Sequence, residues 1–153
     1  MQRILFVCLG NICRSPLAEG IARERIAACC LDVTVASCGT AGWHAGEGAD
    51  PRMVAAARAA GHDLSAHRAR QLRACDYDDF DWLLAMDHDN LAELRKLASS
   101  PAQLAHTALF LEWTGIAPPT AFPDPWYGGE ADFAAVVGLA ERGVAGLIQR
   151  LQK

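Results

Sequence analysis

The chain has 153 residues, 52% of them hydrophobic and 21% charged, with a net charge of -4 and a pI near 5.7. That length suits one sizeable core rather than two ordinary domains, and the composition argues against disorder and against a membrane protein. The mildly acidic balance offers no overall pull toward nucleic acid or anionic lipid, so any anion site must be built locally.

Residues 3 to 8, "RILFVC", form a continuous apolar run of the kind buried on both faces of a parallel sheet. Arg3 before "ILFVCL" imitates an export signal, but the run is short and no Ala-x-Ala site follows, so the expected compartment is the cytoplasm. Six cysteines in a chain with a full core and no export signal are expected as free thiols. Pro16 suits the first turn of a helix that "LAEGIARERIAA" continues, with Leu17, Ile21, Arg25 and Ala28 on one face. "VTVAS", from Val33, predicts a second strand, and "CGTAGWHAGEGADP" a glycine-rich loop closed by Pro51. "RMVAAARAA" then reads as a helix stopped by Gly61.

"FDWLLAMD" is a third buried strand, and Asp87 or Asp89 would cap the helix "NLAELRKLA" after it. "HTALFL" is a fourth strand. "APPTAFPDPWYGGE" carries four of the seven prolines and predicts a long ordered loop. Phe133, Val136, Val137, Ala140, Val144, Leu147, Ile148 and Leu151 then recur at helical spacing. Strands alternating with helices imply an α/β fold over 1–153: a single-domain, open four-stranded parallel sheet with helices on both faces. Ligands of such sheets bind beyond the carboxyl ends of the strands, where "CLGNICRS" lies.

This stretch would turn backbone N–H groups inward at a helix N-terminus, which describes a phosphate-binding loop after the first strand. Gly10 and Asn11 tolerate the tight turn, and Arg14 offers a planar charged fork for two phosphate oxygens. Cys8, facing these donors from the strand's end, is placed as a nucleophile. Ser15 would either contact the Cys8 sulfur or cap the helix. A thiol attacking phosphorus needs an acid for the leaving oxygen; Asp124 in "PDPWYGG" is the candidate, although an Asp before proline also starts turns.

Five blocks in order, "VCLGNICRSPLAE", "SCGTAGWHAGEGADPR", "HRARQL", "FDWLLAMDHDNL" and "DPWYGG", resemble the low-molecular-weight protein tyrosine phosphatase family across nearly the whole chain. The resemblance implies hydrolysis of phosphotyrosine and aryl phosphates through a phosphocysteine. Cys8 would be nucleophile, Arg14 phosphate clamp and Asp124 general acid and base, with Leu9, Gly10, Asn11, Ile12 and Cys13 forming the cradle. It also implies a supporting network of Asn11, Ser15, Ser37 and His67, flanking aromatics at Trp43, Trp126 and Tyr127, and a Cys13 able to join Cys8 reversibly. Trp126 stands where tyrosine is common in that family.

No cofactor or metal is expected, because Arg14 and the backbone donors supply the charge stabilisation and only adjacent Cys29 and Cys30 offer a close thiol pair. Expected partners are a phosphotyrosine-containing protein, a tyrosine kinase among the candidates, and phosphate as product, with neither nucleic acid nor membrane. Three alternatives stand beside this. Arsenate reduction would use further cysteines, but only Cys75 lies in the matching region. Phosphoarginine hydrolysis goes with threonine where Ile12 stands. A non-catalytic phospho-ligand module would lack the nucleophile or the acid.

Overall fold

β1 (Gln2–Cys8) takes its place from an apolar run whose side chains alternate between two buried faces. Ile4, Phe6 and Cys8 enter one core, Leu5 and Val7 the other. The computed structural model describes residues 1–153. After β1 come α1 (Arg14–Ala28), β2 (Val33–Gly39), α2 (Pro51–Ala59), α3 (Asp76–Asp79), β3 (Trp82–Ala85) and α4 (His88–Leu97). The chain continues through α5 (Pro101–Ala105), β4 (Thr107–Leu109), α6 (Phe110–Trp113) and α7 (Glu130–Leu151).

The four strands pair in parallel in the order β2-β1-β3-β4. This is the open, doubly covered α/β sheet expected from the strand and helix alternation. β1 lies at the centre: the chain first builds outward to β2, then returns to β1's other side with β3. The carboxyl end of β1 is therefore the point where the winding reverses, which opens a crevice there. Register brings Cys8 opposite Gly39, and Val7 opposite Ala85.

One face carries α1, α2 and α7, packed through Leu17, Ile21, Met53, Phe133, Val137 and Val144. The other carries α4, with Leu91 and Leu94 against Leu83 and Tyr77. Each such leucine or phenylalanine, fully buried, contributes about 1.5–3 kcal/mol. α7 approaches the 110–116 segment so closely that a Cβ on Gly146 would stand 2.5 Å from the Thr114 carbonyl oxygen. Helix ends follow their cues. Asp50 caps α2 by accepting from Arg52 N–H at 2.8 Å, Gly61 takes φ +92 beyond its end, and Asp87, rather than Asp89, caps α4.

Two local expectations need correcting, and two short helices lie outside them. "HTALFL" is not one strand: β4 ends at Leu109, and Phe110 and Leu111 turn into α6. A short buried apolar run has no periodicity to separate strand from helix. On α1, Arg25 and Ala28 are exposed, Ile26 being the last buried residue, and the long Arg25 stem carries its charge to water. α3 and α5 are too short to show a period in the sequence, though Ser100 accepting from Gln103 N–H before Pro101 is a legible helix start. No helix is long and apolar enough to cross a membrane.

The sheet's outer margins are short at β4 and partly occupied at β2. Residues 70–72 run beside the end of β2, with Gly39 N–H donating to Arg70 and Leu72 N–H to Gly39. Arg23 donates to the Val35 carbonyl nearby.

Candidate active site

Between β1 and α1 the chain turns sharply, and Asn11 takes φ +57, a left-handed value that asparagine tolerates better than most residues. Its fully buried side chain fixes the turn from behind. Nδ2 donates to Ser15 Oγ and Ser37 Oγ, both at 2.9 Å, while Oδ1 accepts from Arg70 N–H at 2.9 Å. Ser37 passes its own hydrogen to Glu19, 2.5 Å away. The Asn11 carbonyl lies 2.7 Å from His67 Nε2, which must carry the hydrogen because a carbonyl only accepts. The loop is thus pinned to α1, β2 and the 67–70 segment.

Asn11 N–H points at the Cys8 sulfur from 3.3 Å, whereas the N–H groups of Leu9, Gly10, Ile12 and Cys13 find no backbone acceptor. Unpaired donors arranged around a sulfur at a helix N-terminus form a concavity suited to an anion. Ser15 Oγ lies 2.9 Å from Cys8 Sγ and 3.4 Å from the Cys38 carbonyl. With Asn11 donating to that oxygen, the hydroxyl hydrogen is available to the closer sulfur. Ser15 is the second residue of α1 and does not cap it; Cys13 occupies the N-cap position without a side-chain bond.

Arg14 is held almost out of water, 4% exposed, by Nη1 donating to Asp87 Oδ2 at 2.7 Å and to the Phe122 carbonyl at 3.0 Å. Burial works against its charge, but the Cys8 sulfur and the bonded Asp87 outweigh burial and push its pKa up. Its Nη2 lies 3.7 Å from Asp124 Oδ2. Asp124 hangs over the crevice, half-exposed, with Oδ1 accepting from Trp126 N–H at 3.1 Å.

These groups share a cleft of about 330 Å³ walled by Leu9, Gly10, Ile12, Cys13, Trp43, Trp126 and Tyr127. Cys8 sits on its floor at 3% exposure, while Trp43 and Tyr127 stand at the mouth, 74% and 98% exposed. Asn11, expected in the cradle and in its supporting network, and Ser15, expected in that network, do not line the cleft and lie behind it with Ser37 and His67. Burial pushes the Cys13 thiol up, aided by the Cys8 sulfur. All six cysteines are free, and Cys75 is exposed at the start of α3, outside the cleft.

Two residues of the site escaped sequence reading. Local sequence marks Asp87 only as a helix cap, yet it also anchors Arg14; its position at the carboxyl end of β3 is the available signal. His44 lines the cleft beside Trp126, and its ring packs over Gly10, where a Cβ would stand a tight 3.0 Å from it. A larger concavity of about 810 Å³ lies between α2 and α7, lined by alanines and glycines with Phe133, Arg52 and Glu130 among them. It holds no thiol, hydroxyl or histidine, so size does not locate the chemistry here.

Comparison with known proteins follows the same lines. Residues 3–153 match the family model described as "Low molecular weight phosphotyrosine protein phosphatase". The "Low molecular weight protein-tyrosine-phosphatase" of Streptomyces coelicolor is 37% identical over 158 residues, covering 99% of this chain and 94% of the relative. A crystal structure of a protein tyrosine phosphatase from Entamoeba histolytica, with Hepes in the active site, superposes with a TM-score of 0.93 at 33% identity, covering 99% and 97%. YfkJ from Bacillus subtilis gives 0.90 at 35% identity, covering 99% and 95%.

Proposed function

The chain belongs to the low molecular weight phosphotyrosine protein phosphatase family, and on that premise we propose that residues 1–153 form one catalytic unit hydrolysing phosphotyrosine on proteins. The observation that carries this assignment is the convergence of Cys8, Arg14 and Asp124 on one cleft, with Arg14 Nη2 3.7 Å from Asp124 Oδ2. The Cys8 sulfur attacks phosphorus while the bond to the phenolic oxygen breaks, and Asp124 gives that oxygen its proton. Water then attacks the phosphocysteine, its proton passing to Asp124 as the sulfur leaves with Ser15 donating to it. Arg14 and the cradle N–H groups hold the phosphoryl oxygens throughout.

Depth favours an aryl ester. A nucleophile on the cleft floor is reached by a phosphate carried on a long flat ring, and Trp43, Trp126 and Tyr127 offer faces to that ring. An autophosphorylated tyrosine kinase is one class of protein that presents such a group. The six free thiols accord with a reducing compartment, which we take to be the cytoplasm.

The test is phosphate release from phosphotyrosine and phosphoarginine peptides near pH 6 with chelator present. Wild type should release phosphate from the phosphotyrosine peptide alone, and Cys8→Ser should release none. Release that survives Cys8→Ser would overturn the phosphocysteine route, and release from neither peptide would overturn the assignment.

A further inference from the structure

Arg52 lies on α2 outside the cleft, yet it joins the cleft's two walls. Its Nε and Nη2 fork onto Asp50 at 3.2 and 2.9 Å, and Asp50 N–H donates to the Ile12 carbonyl of the cradle at 2.7 Å. Its remaining nitrogen, Nη1, donates to the Trp126 carbonyl at 2.9 Å. The guanidinium also lies 5.0 Å from the Trp126 ring and 4.7 Å from the Phe133 ring, within cation–π reach of both. Burial pushes the Asp50 carboxyl up, but the Arg52 bonds outweigh it and hold the pKa down, so the pair is ionic.

Trp126 is therefore held at both ends of one residue: its N–H donates to Asp124 and its carbonyl accepts from Arg52. Between Phe122 and Gly129 that Arg52 contact is the one hydrogen bond tying the segment to the rest of the protein, since Gly128 N–H turns back to Pro125. Pro123 and Pro125 have no N–H to offer. A displacement of about 1 Å in a reacting group costs on the order of a hundredfold in rate.

We propose that Arg52 is a positioning residue for Asp124, tying the Trp126 peptide to the phosphate cradle through Asp50 and so setting where the carboxyl stands over Cys8. This rests on the phosphatase assignment, with Asp124 as the acid. Its signature is selective loss on substrates that depend on protonation of the leaving oxygen. Phenyl phosphate depends on it strongly; p-nitrophenyl phosphate, with its acidic phenol, depends on it weakly.

The experiment measures kcat/KM on both substrates for wild type, Arg52→Ala, Arg52→Lys, Asp124→Ala and the Arg52→Ala/Asp124→Ala double variant, with inhibition by inorganic phosphate and a melting curve for each. Arg52→Ala should lose about tenfold or more on phenyl phosphate and less than about threefold on p-nitrophenyl phosphate, with phosphate inhibition within about twofold of wild type. In the Asp124→Ala background it should cause no further loss. Arg52→Lys keeps the charge but cannot fork between Asp50 and Trp126, so it should show the same selectivity at smaller size, and it carries the comparison if Arg52→Ala does not fold. Equal losses on both substrates, no loss on phenyl phosphate, or an additive loss in the double variant would overturn the role of Arg52 alone. A wild type inactive on both substrates, or an Asp124→Ala variant with no selective loss on phenyl phosphate, would bring down the acid assignment and this proposal with it.

Discussion

Replacing Asn11 with alanine tests whether the cradle is held from behind rather than by what it binds. The change deletes three side-chain hydrogen bonds, to Ser15, to Ser37 and from Arg70 N–H, all at 2.9 Å. At about 1 kcal/mol net for each, and up to about 1 more for the part-buried Arg70 N–H left unpaired, the loss reaches about 3–4 kcal/mol. Alanine must also hold φ +57, which adds about 1 kcal/mol. Urea unfolding followed by tryptophan fluorescence at pH 7 should therefore show a lower midpoint at unchanged slope, equivalent to about 4–5 kcal/mol, a large part of a typical domain's stability. Asn11→Gly separates the two contributions. It loses the same bonds but takes a positive φ freely, and should be about 1 kcal/mol more stable than the alanine variant. Both should lose at least about tenfold in kcat/KM on an aryl phosphate as the donors scatter. An alanine loss under about 1 kcal/mol, or a glycine variant less stable than the alanine one, would refute the reasoning.

Asp76 is fully buried, and although burial pushes its carboxyl up, the bonds from the Arg70 fork and Arg73 N–H outweigh it and hold its pKa below the ordinary 3.8. A carboxyl depressed on folding contributes stability that is complete above its unfolded pKa and is lost as pH falls through the folded one. Asp76→Asn should thus be less stable at pH 7, with the gap to wild type narrowing between about pH 4 and about pH 2; a gap constant over that range in urea titrations would refute the pairing. Gly146→Ala drives a methyl onto the Thr114 carbonyl and should cost about 1–3 kcal/mol. Gly138→Ala, with open space around it, should gain up to about 1 kcal/mol, and melting temperatures that move together would contradict the packing described. Asp87→Ala strips the buried Arg14 of its partner and α4 of its cap, so a loss of about 3 kcal/mol or more, with weaker phosphate inhibition, is expected by unfolding and inhibition assays.

What could be read from residues alone followed from periodicity and punctuation. The unbroken apolar run of β1, the Pro51 start and Gly61 stop of α2, and the apolar stripe of α7 are local signals that the folded chain obeys. Phe110 and Leu111 went astray because a short apolar run carries no period. In the cleft, Cys8, Arg14 and Asp124 were legible by residue type and by their place at a strand end or proline-braced loop. Asp87 as the anchor of Arg14, and the ties from Asp50 to Ile12 and from Arg52 to Trp126, were not. Such contacts join residues separated by 38 to 74 positions, and nothing in local spacing encodes which side chain will meet which.

The sheet's margins bear on how this protein behaves when crowded. An exposed strand flank is a template onto which another chain can add, and four-stranded open sheets have two such flanks. On one side β4 offers only three residues before the chain coils into α6. On the other, the 70–72 segment already occupies the main-chain groups of Gly39, and Arg23 occupies the Val35 carbonyl. The same 70–72 segment begins with the N–H that holds Asn11. One short stretch of chain thereby both closes the carboxyl end of β2 and helps shape the anion cradle, so loosening it would uncover the Gly39 end of that flank and disturb the cleft together.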